Sequence, residues 1–303
     1  MRIAIVGIGG VGGYFGGKLA REYENSNKHE IIFIARGEHL KAIKKKGLQL
    51  ITREGDYTVR PKIATDNPVE AGVLDLVFFC TKSYSLEISA QEFSSCINKN
   101  TIVIPLLNGV NSAEILRAVL PRANVISGSV YIISFIEKPG VVRQKNGACV
   151  LTFGTDDESA AKYQYILDVL LKAKIKAKLT YKISEVLWEK YLLMCPLGSL
   201  TSATGKTYGG IMEDAILRQK LKSMMEEVVA VARARKVFLP EDAVDKTMQL
   251  AGSFDYNSKT SMQLDRENGR QTEMDALTAY LCKAGKESGI PTPLHDEVYA
   301  LLK

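Results

Sequence analysis

Histidine and cysteine are scarce in this 303-residue chain, and those present are scattered. His29, His39 and His295 lie far apart, and the five cysteines (Cys80, Cys96, Cys149, Cys195, Cys282) form no CxxC pair. An odd, dispersed set offers neither a disulfide framework nor metal-ligand spacing, so no metal site is expected and reduced thiols suit a cytoplasmic protein. No apolar run approaches the roughly 20 residues that span a bilayer, and no signal-like segment precedes the first apolar run. A long basic block interleaved with aromatics is also missing. The formal charge of +6 arises from 40 basic against 34 acidic residues, and Lys44-Lys45-Lys46 reads as the polar end of a helix. Nucleic-acid and membrane partners are therefore not expected; a mildly basic balance better suits an anionic cofactor and a small anionic substrate. Internal repeats and low-complexity segments are absent.

What the chain does have comes at once. Ile3-Ala4-Ile5-Val6 is a short buried-strand run, and it leads directly into Gly7-Ile8-Gly9-Gly10-Val11-Gly12. An amphipathic helix follows from Tyr14 to Tyr23, then a second apolar strand, Ile31-Ile32-Phe33-Ile34. A lone GxGxxG is weak evidence; between a strand and a helix it predicts a dinucleotide-binding βαβ unit. Gly7 permits the tight turn, Gly9 lets backbone approach a pyrophosphate, and Gly12 lets helix pack on strand. The phosphates sit where free amides and the helix dipole favour negative charge.

The end of the second strand bears on which dinucleotide. An acidic residue there takes the ribose hydroxyls of NAD; this chain has Arg36, whose guanidinium suits a 2′-phosphate, with Lys41 near in sequence. NADP(H) is the expected cofactor, against the alternative that Arg36 is a solvated surface residue.

Strands and helices alternate through the first half. Leu74 to Cys80 and Thr101 to Leu107 are further buried strands, Val125 to Phe153 is strand-rich with a turn at Pro139-Gly140, and Asp156 to Lys174 reads as a closing helix. After about Tyr181 the periodicity is helical: Ile183 to Leu193, Leu217 to Arg235, Pro240 to Leu250 and Thr272 to Glu287, with Pro293 opening a last helix. The expected architecture is a Rossmann-type α/β domain over residues 1–180 and an all-α domain over 181–303.

Several residues stand where chemistry is done. Thr81-Lys82-Ser83 and Asn108-Gly109 follow apolar strands, so each either caps the next helix or meets a ligand. In Trp188-Glu189-Lys190-Tyr191-Leu192-Leu193 one lysine sits in a largely apolar stretch, where it either snorkels to water or has a purpose. Ser261-Met262-Gln263-Leu264-Asp265 and Arg270-Gln271-Thr272-Glu273 come later; Thr272 alternatively reads as a plain N-cap followed by an acidic first turn.

Taken in order, GxGxxG, the strand-end arginine, TK, NG, W-x-K, LTSATGKT and SMxxD with RxTE resemble the ketopantoate reductase family over nearly the whole chain. The resemblance implies NADPH-dependent reduction of 2-dehydropantoate to pantoate in pantothenate biosynthesis. It places Lys190 as general acid, Glu273 as the residue that helps position lysine and substrate, Ser261 against the substrate carboxylate, and Lys82 and Asn108 along the cofactor and active site. One departure stands out: the family carries asparagine four and eight residues after the lysine, and here those positions are Met194 and Gly198. Either Ser199 and Ser202 substitute, or another 2-oxo acid is preferred. Two further readings remain: a different hydroxy-acid dehydrogenase, and a non-catalytic NADP(H)-binding sensor. The expected partner is a small 2-oxo acid, and a homodimer is compatible with the chain.

Overall fold

The computed structural model describes residues 1–303, the side chain of Asn146 apart. It divides into two units: Met1–Leu107 with Asn111–Ile183, and Asn108–Val110 with Ser184–Lys303.

The first unit is built on strands β1 (Arg2–Val6), β2 (Glu30–Ile34), β3 (Leu48–Thr52), β4 (Gly55–Val59), β5 (Ile63–Thr65), β6 (Leu76–Phe79), β7 (Ile102–Pro105), β8 (Asn124–Val125), β9 (Ser127–Lys138), β10 (Val141–Gly154) and β11 (Lys176–Thr180). Helices α1 (Gly10–Tyr23), α2 (Gly37–Lys46), α3 (Pro68–Ala71), α4 (Leu86–Glu92), α5 (Ser112–Val119) and α6 (Gln164–Lys172) connect them. Six strands form a parallel sheet in the order β5-β2-β1-β6-β7-β8. Counted within that sheet alone, the order is 3-2-1-4-5-6, the doubly wound arrangement whose ligands lie beyond the carboxyl ends of the strands where the order reverses. Period-two alternation explains why it is buried on both faces. Ile3 and Ile5 enter one apolar cluster with Phe33, Phe78 and Ile104. Ala4 and Val6 enter another with Ile32, Val77 and Phe79. The register pairs Val6 with both Ile34 and Phe79, so Gly7, Ala35-Arg36 and Cys80-Thr81 leave the sheet at one level.

A second sheet joins β11-β10-β3-β4, with β9 antiparallel to β10. The hairpin turn falls at Pro139-Gly140, as the sequence predicts. The helix expected over Asp156 to Lys174 is instead a 3-10 stretch, Glu158–Tyr163, followed by α6. Asp157 caps that stretch by accepting from the Ser159 amide at 2.9 Å, which favours the tighter winding at its start.

The second unit holds α7 (Ile183–Thr204), α8 (Tyr208–Glu213), α9 (Ala215–Ala234), α10 (Ala243–Gly252), α11 (Ser261–Glu267), α12 (Tyr280–Ser288) and α13 (Pro293–Leu302). Trp188, Tyr191, Leu192, Cys195, Leu197 and Leu200 are all buried, so α7 is covered on most sides and acts as the unit's core helix. It runs well past Leu193, through Pro196, which removes one backbone donor without ending the helix. Thr272 does not cap a helix: a π-turn over Asp275–Ala279 precedes α12. No helix is long and apolar enough to cross a membrane among the described residues.

Candidate functional site

In the first unit, the glycine-rich turn is explained position by position. Gly7 adopts φ +94°, and a Cβ on it would lie 2.9 Å from the Thr81 nitrogen. A Cβ at Gly12 would lie 2.1 Å from the Gly7 carbonyl oxygen, so helix and strand touch there only because it is glycine. At Gly9 the same construction meets nothing within 4 Å, which leaves room for a ligand to approach backbone. Gly10 has a role the motif does not announce: a Cβ would collide with the Ser134 carbonyl oxygen of β9 at 2.1 Å.

This turn fits a dinucleotide. Gly9 opens α1 with no side-chain cap and no acidic residue in the first turn, so Gly10, Val11 and Gly12 present free amides to an anion. Along the same sheet edge, Thr81 Oγ1 and Asn111 Oδ1 are buried without a partner, an arrangement that a ligand's polar atoms would relieve. Asn111 was not singled out from sequence, although its place three residues after the strand-end Asn108 is a signal. Lys82 is half-buried at the start of a 3-10 turn. Arg36, exposed at the N-cap position of α2, is ion-paired with Glu92 of α4. Lys41 pairs with Glu38 at 2.7 Å. Exposed pairs of this kind contribute little, so a phosphate can replace either carboxylate.

In the second unit, three sequence-selected residues come together. Lys190 is 7% exposed and Glu273 is 5% exposed. Lys190 Nζ donates to Asn108 Oδ1 at 2.9 Å, and Asn108 Nδ2 donates to Glu273 Oε2 at 3.3 Å. The amide can face only one way, since an ammonium has nothing to accept with and a carboxylate has nothing to donate. Gly109, at φ +94°, turns the chain immediately after Asn108. Burial brings the Lys190 ammonium down to about 8, while the Glu273 carboxylate opposes that fall. The result is a lysine still charged at neutral pH yet able to give up its proton.

The group is held by two segments running side by side. Tyr191, next to Lys190, donates its hydroxyl to the Leu277 carbonyl at 2.6 Å. Two turns on, the Ser199 and Thr278 hydroxyls meet at 2.6 Å. Leu277 and Thr278 belong to the π-turn just after Glu273, a distortion that re-aims side chains and recurs at functional sites. Ser261 is exposed at the first turn of α11.

The description "Ketopantoate reductase PanE/ApbA" fits residues 3–158, and its C-terminal counterpart fits residues 182–303. A PanE/ApbA family ketopantoate reductase from Ralstonia eutropha superposes with a TM-score of 0.89 at 31% identity, over 100% of this chain and 97% of that one. A 2-dehydropantoate 2-reductase of Mesorhizobium japonicum is 28% identical over 323 residues, covering 100% of this chain and 97% of its own length. A D-mandelate dehydrogenase with NADH and anilino(oxo)acetate superposes with a TM-score of 0.86 at 25% identity, over 100% of this chain and 97% of that one.

Proposed function

The chain belongs to the ketopantoate reductase family, and from that premise we propose that it is an NADPH-dependent reductase that converts the ketone of a 2-oxo acid to a hydroxyl, with ketopantoate to pantoate as its reference reaction. The family makes it a nicotinamide-using oxidoreductase; the phosphate preference, the substrate and the residue roles are the proposal. The observation that carries it is the buried Lys190–Asn108–Glu273 group.

A bound nicotinamide supplies hydride to the carbonyl carbon. Lys190 faces the carbonyl oxygen, stabilises the negative charge that develops there, and transfers its proton to it. Asn108 fixes the ammonium's position through Oδ1, and Glu273 fixes Asn108 while holding the lysine protonated. Ser261, Lys82 and Asn108 are proposed as further contacts to substrate and cofactor. Gly7 to Gly12 hold the pyrophosphate and Arg36 the 2′-phosphate. We further propose a soluble, cytoplasmic protein acting as a homodimer.

A second reading, reduction of a 2-oxo acid other than ketopantoate, is favoured by Met194 and Gly198. Neither carries an amide to pair with the pantoyl hydroxyl, and a substrate group left unpaired on binding reduces affinity.

Following NADPH consumption with ketopantoate, pyruvate and 2-oxoisovalerate tests the reading. Turnover of a 2-oxo acid supports it; tight NADPH binding without turnover of any acid favours the sensor instead. Glu273→Gln makes a separate test. Without the carboxylate that holds its proton, Lys190 should lose it at lower pH, so the fall in reduction rate on raising pH should begin earlier than in the parent protein. An unchanged pH profile would assign Glu273 a purely structural role.

A further inference from the structure

Tyr191 is buried, and its ring packs edge-on against Trp188 and Tyr280, with centroids 5.4 and 6.3 Å away. Packing accounts for the ring but not for the hydroxyl, since phenylalanine would fill the same space without burying a polar group. That hydroxyl donates to the Leu277 carbonyl at 2.6 Å. Leu277 lies in the π-turn, where backbone bonding is loose. The Tyr280 amide is shared between the Asp275 and Leu277 carbonyls, and the Ala279 amide reaches back five residues to Met274 at 3.1 Å. A carbonyl with only a share of one amide keeps a lone pair for the phenol.

This bond closes a ring. The Leu277 amide donates to the Glu273 carbonyl at 3.1 Å, so Leu277 is held at its amide by Glu273 and at its carbonyl by Tyr191. From Glu273 the path returns through the carboxylate to Asn108 at 3.3 Å, then to Lys190 at 2.9 Å, and Lys190 adjoins Tyr191 in the chain. The Asn108–Glu273 bond is the longest of these and already beyond the usual limit of about 3.2 Å, so a small drift of the turn opens it first.

We propose that Tyr191 is a positioning residue for proton delivery: its hydroxyl fixes the π-turn, and with it Glu273, against the Lys190–Asn108 pair. This rests on the reductase reading above and adds a residue to the machinery of that same site. Tyr191 acts through Glu273. Without the hydroxyl the turn is free to drift, and the carboxylate that opposes the fall in the Lys190 proton affinity withdraws. The Ser199–Thr278 contact still joins the two segments, so the drift is a small pivot and not an unfolding. Burial raises the Tyr191 phenol well above its ordinary range and pushes the Cys195 and Cys282 thiols up to about 12, so none of them changes charge where Lys190 titrates.

The test uses whichever of ketopantoate, pyruvate and 2-oxoisovalerate the parent protein reduces fastest. It measures kcat, KM, the pH at which reduction falls, NADPH affinity and Tm in the parent, Tyr191→Phe, Glu273→Gln, the double variant and Tyr23→Phe. Phenylalanine keeps the ring packing, so Tyr191→Phe folds. Tyr23→Phe is the control: it removes a bond of the same kind in the first unit, a buried phenol on the Val169 carbonyl at 3.0 Å. Tyr191→Phe should lower kcat by roughly 10–100-fold with little change in KM or NADPH affinity, because a misplacement of about 1 Å costs up to about 100-fold. Its reduction rate should begin to fall at lower pH, as in Glu273→Gln, and the double variant should fall no earlier than Glu273→Gln alone. Tyr23→Phe should lower Tm and leave kcat and the pH profile at parent values. A Tyr191→Phe protein that loses Tm but keeps the parent kcat and pH profile overturns the inference and leaves the reductase reading standing. So does a shift that adds in full to that of Glu273→Gln. A parent protein that reduces none of the three acids overturns both.

Discussion

Lys190→Ala should lower kcat for any 2-oxo acid by roughly 10²–10⁴-fold, the usual contribution of a positioned general acid, while leaving NADPH affinity nearly unchanged. The separation follows from where the residue sits. Lys190 lies in the helical unit, bonded to Asn108, whereas the glycine turn, Arg36 and the unpartnered Thr81 and Asn111 atoms belong to the first unit. Methionine is a useful second replacement because it keeps the volume of a buried side chain without its charge. Equilibrium NADPH binding measured beside single-turnover rates distinguishes the roles. Weakened cofactor binding with intact turnover would contradict the assignment.

Arg36→Glu should reverse cofactor preference. The arginine stands at the end of β2, where a carboxylate would bond ribose hydroxyls and repel a 2′-phosphate. One charge-assisted hydrogen bond is worth roughly 1.5–3 kcal/mol, so the NADPH-to-NADH ratio of kcat/KM should fall by about 10–100-fold or more. Glu92 sharpens the test. It is paired with Arg36, so a phosphate must displace it, and Glu92→Gln should move the same ratio modestly the other way. If neither substitution moves the ratio, Arg36 does not contact the phosphate.

The parallel sheet was legible because its strands are buried on both faces and read as unbroken apolar runs, Ile3 to Val6 and Leu76 to Phe79 among them. The second sheet was legible only in part: its β9–β10 hairpin was read from the strand-rich run and the Pro139-Gly140 turn, but β4 is Gly55-Asp56-Tyr57-Thr58-Val59, an edge strand with mostly exposed residues that carries no such signal. α7 extends beyond the Ile183 to Leu193 stretch whose helical periodicity was read, and burial of Leu197 and Leu200 holds the helix together past Pro196. For the site, the resemblance already assigned Lys190, Glu273 and Asn108 to one active site, but the contacts that join them were not legible. Asn108 and Lys190 lie 82 residues apart, and only the fold brings amide to ammonium. Glu273 was legible as a residue and not as geometry, since periodicity gives no warning of the π-turn that follows it.

The central claim is that a buried, protonated Lys190 delivers the proton in a reductase reaction. Its most direct test is the pH dependence of 2-oxo acid reduction at saturating NADPH. Burial lowers the lysine's affinity for its proton, so the acid form is lost as pH rises through about 8. The rate should be level near neutrality and fall above that point, with oxidation of the hydroxy acid rising over the same range. A reduction rate that stays level well past pH 8, to the range where an ordinary lysine titrates at about 10.4, would contradict the account.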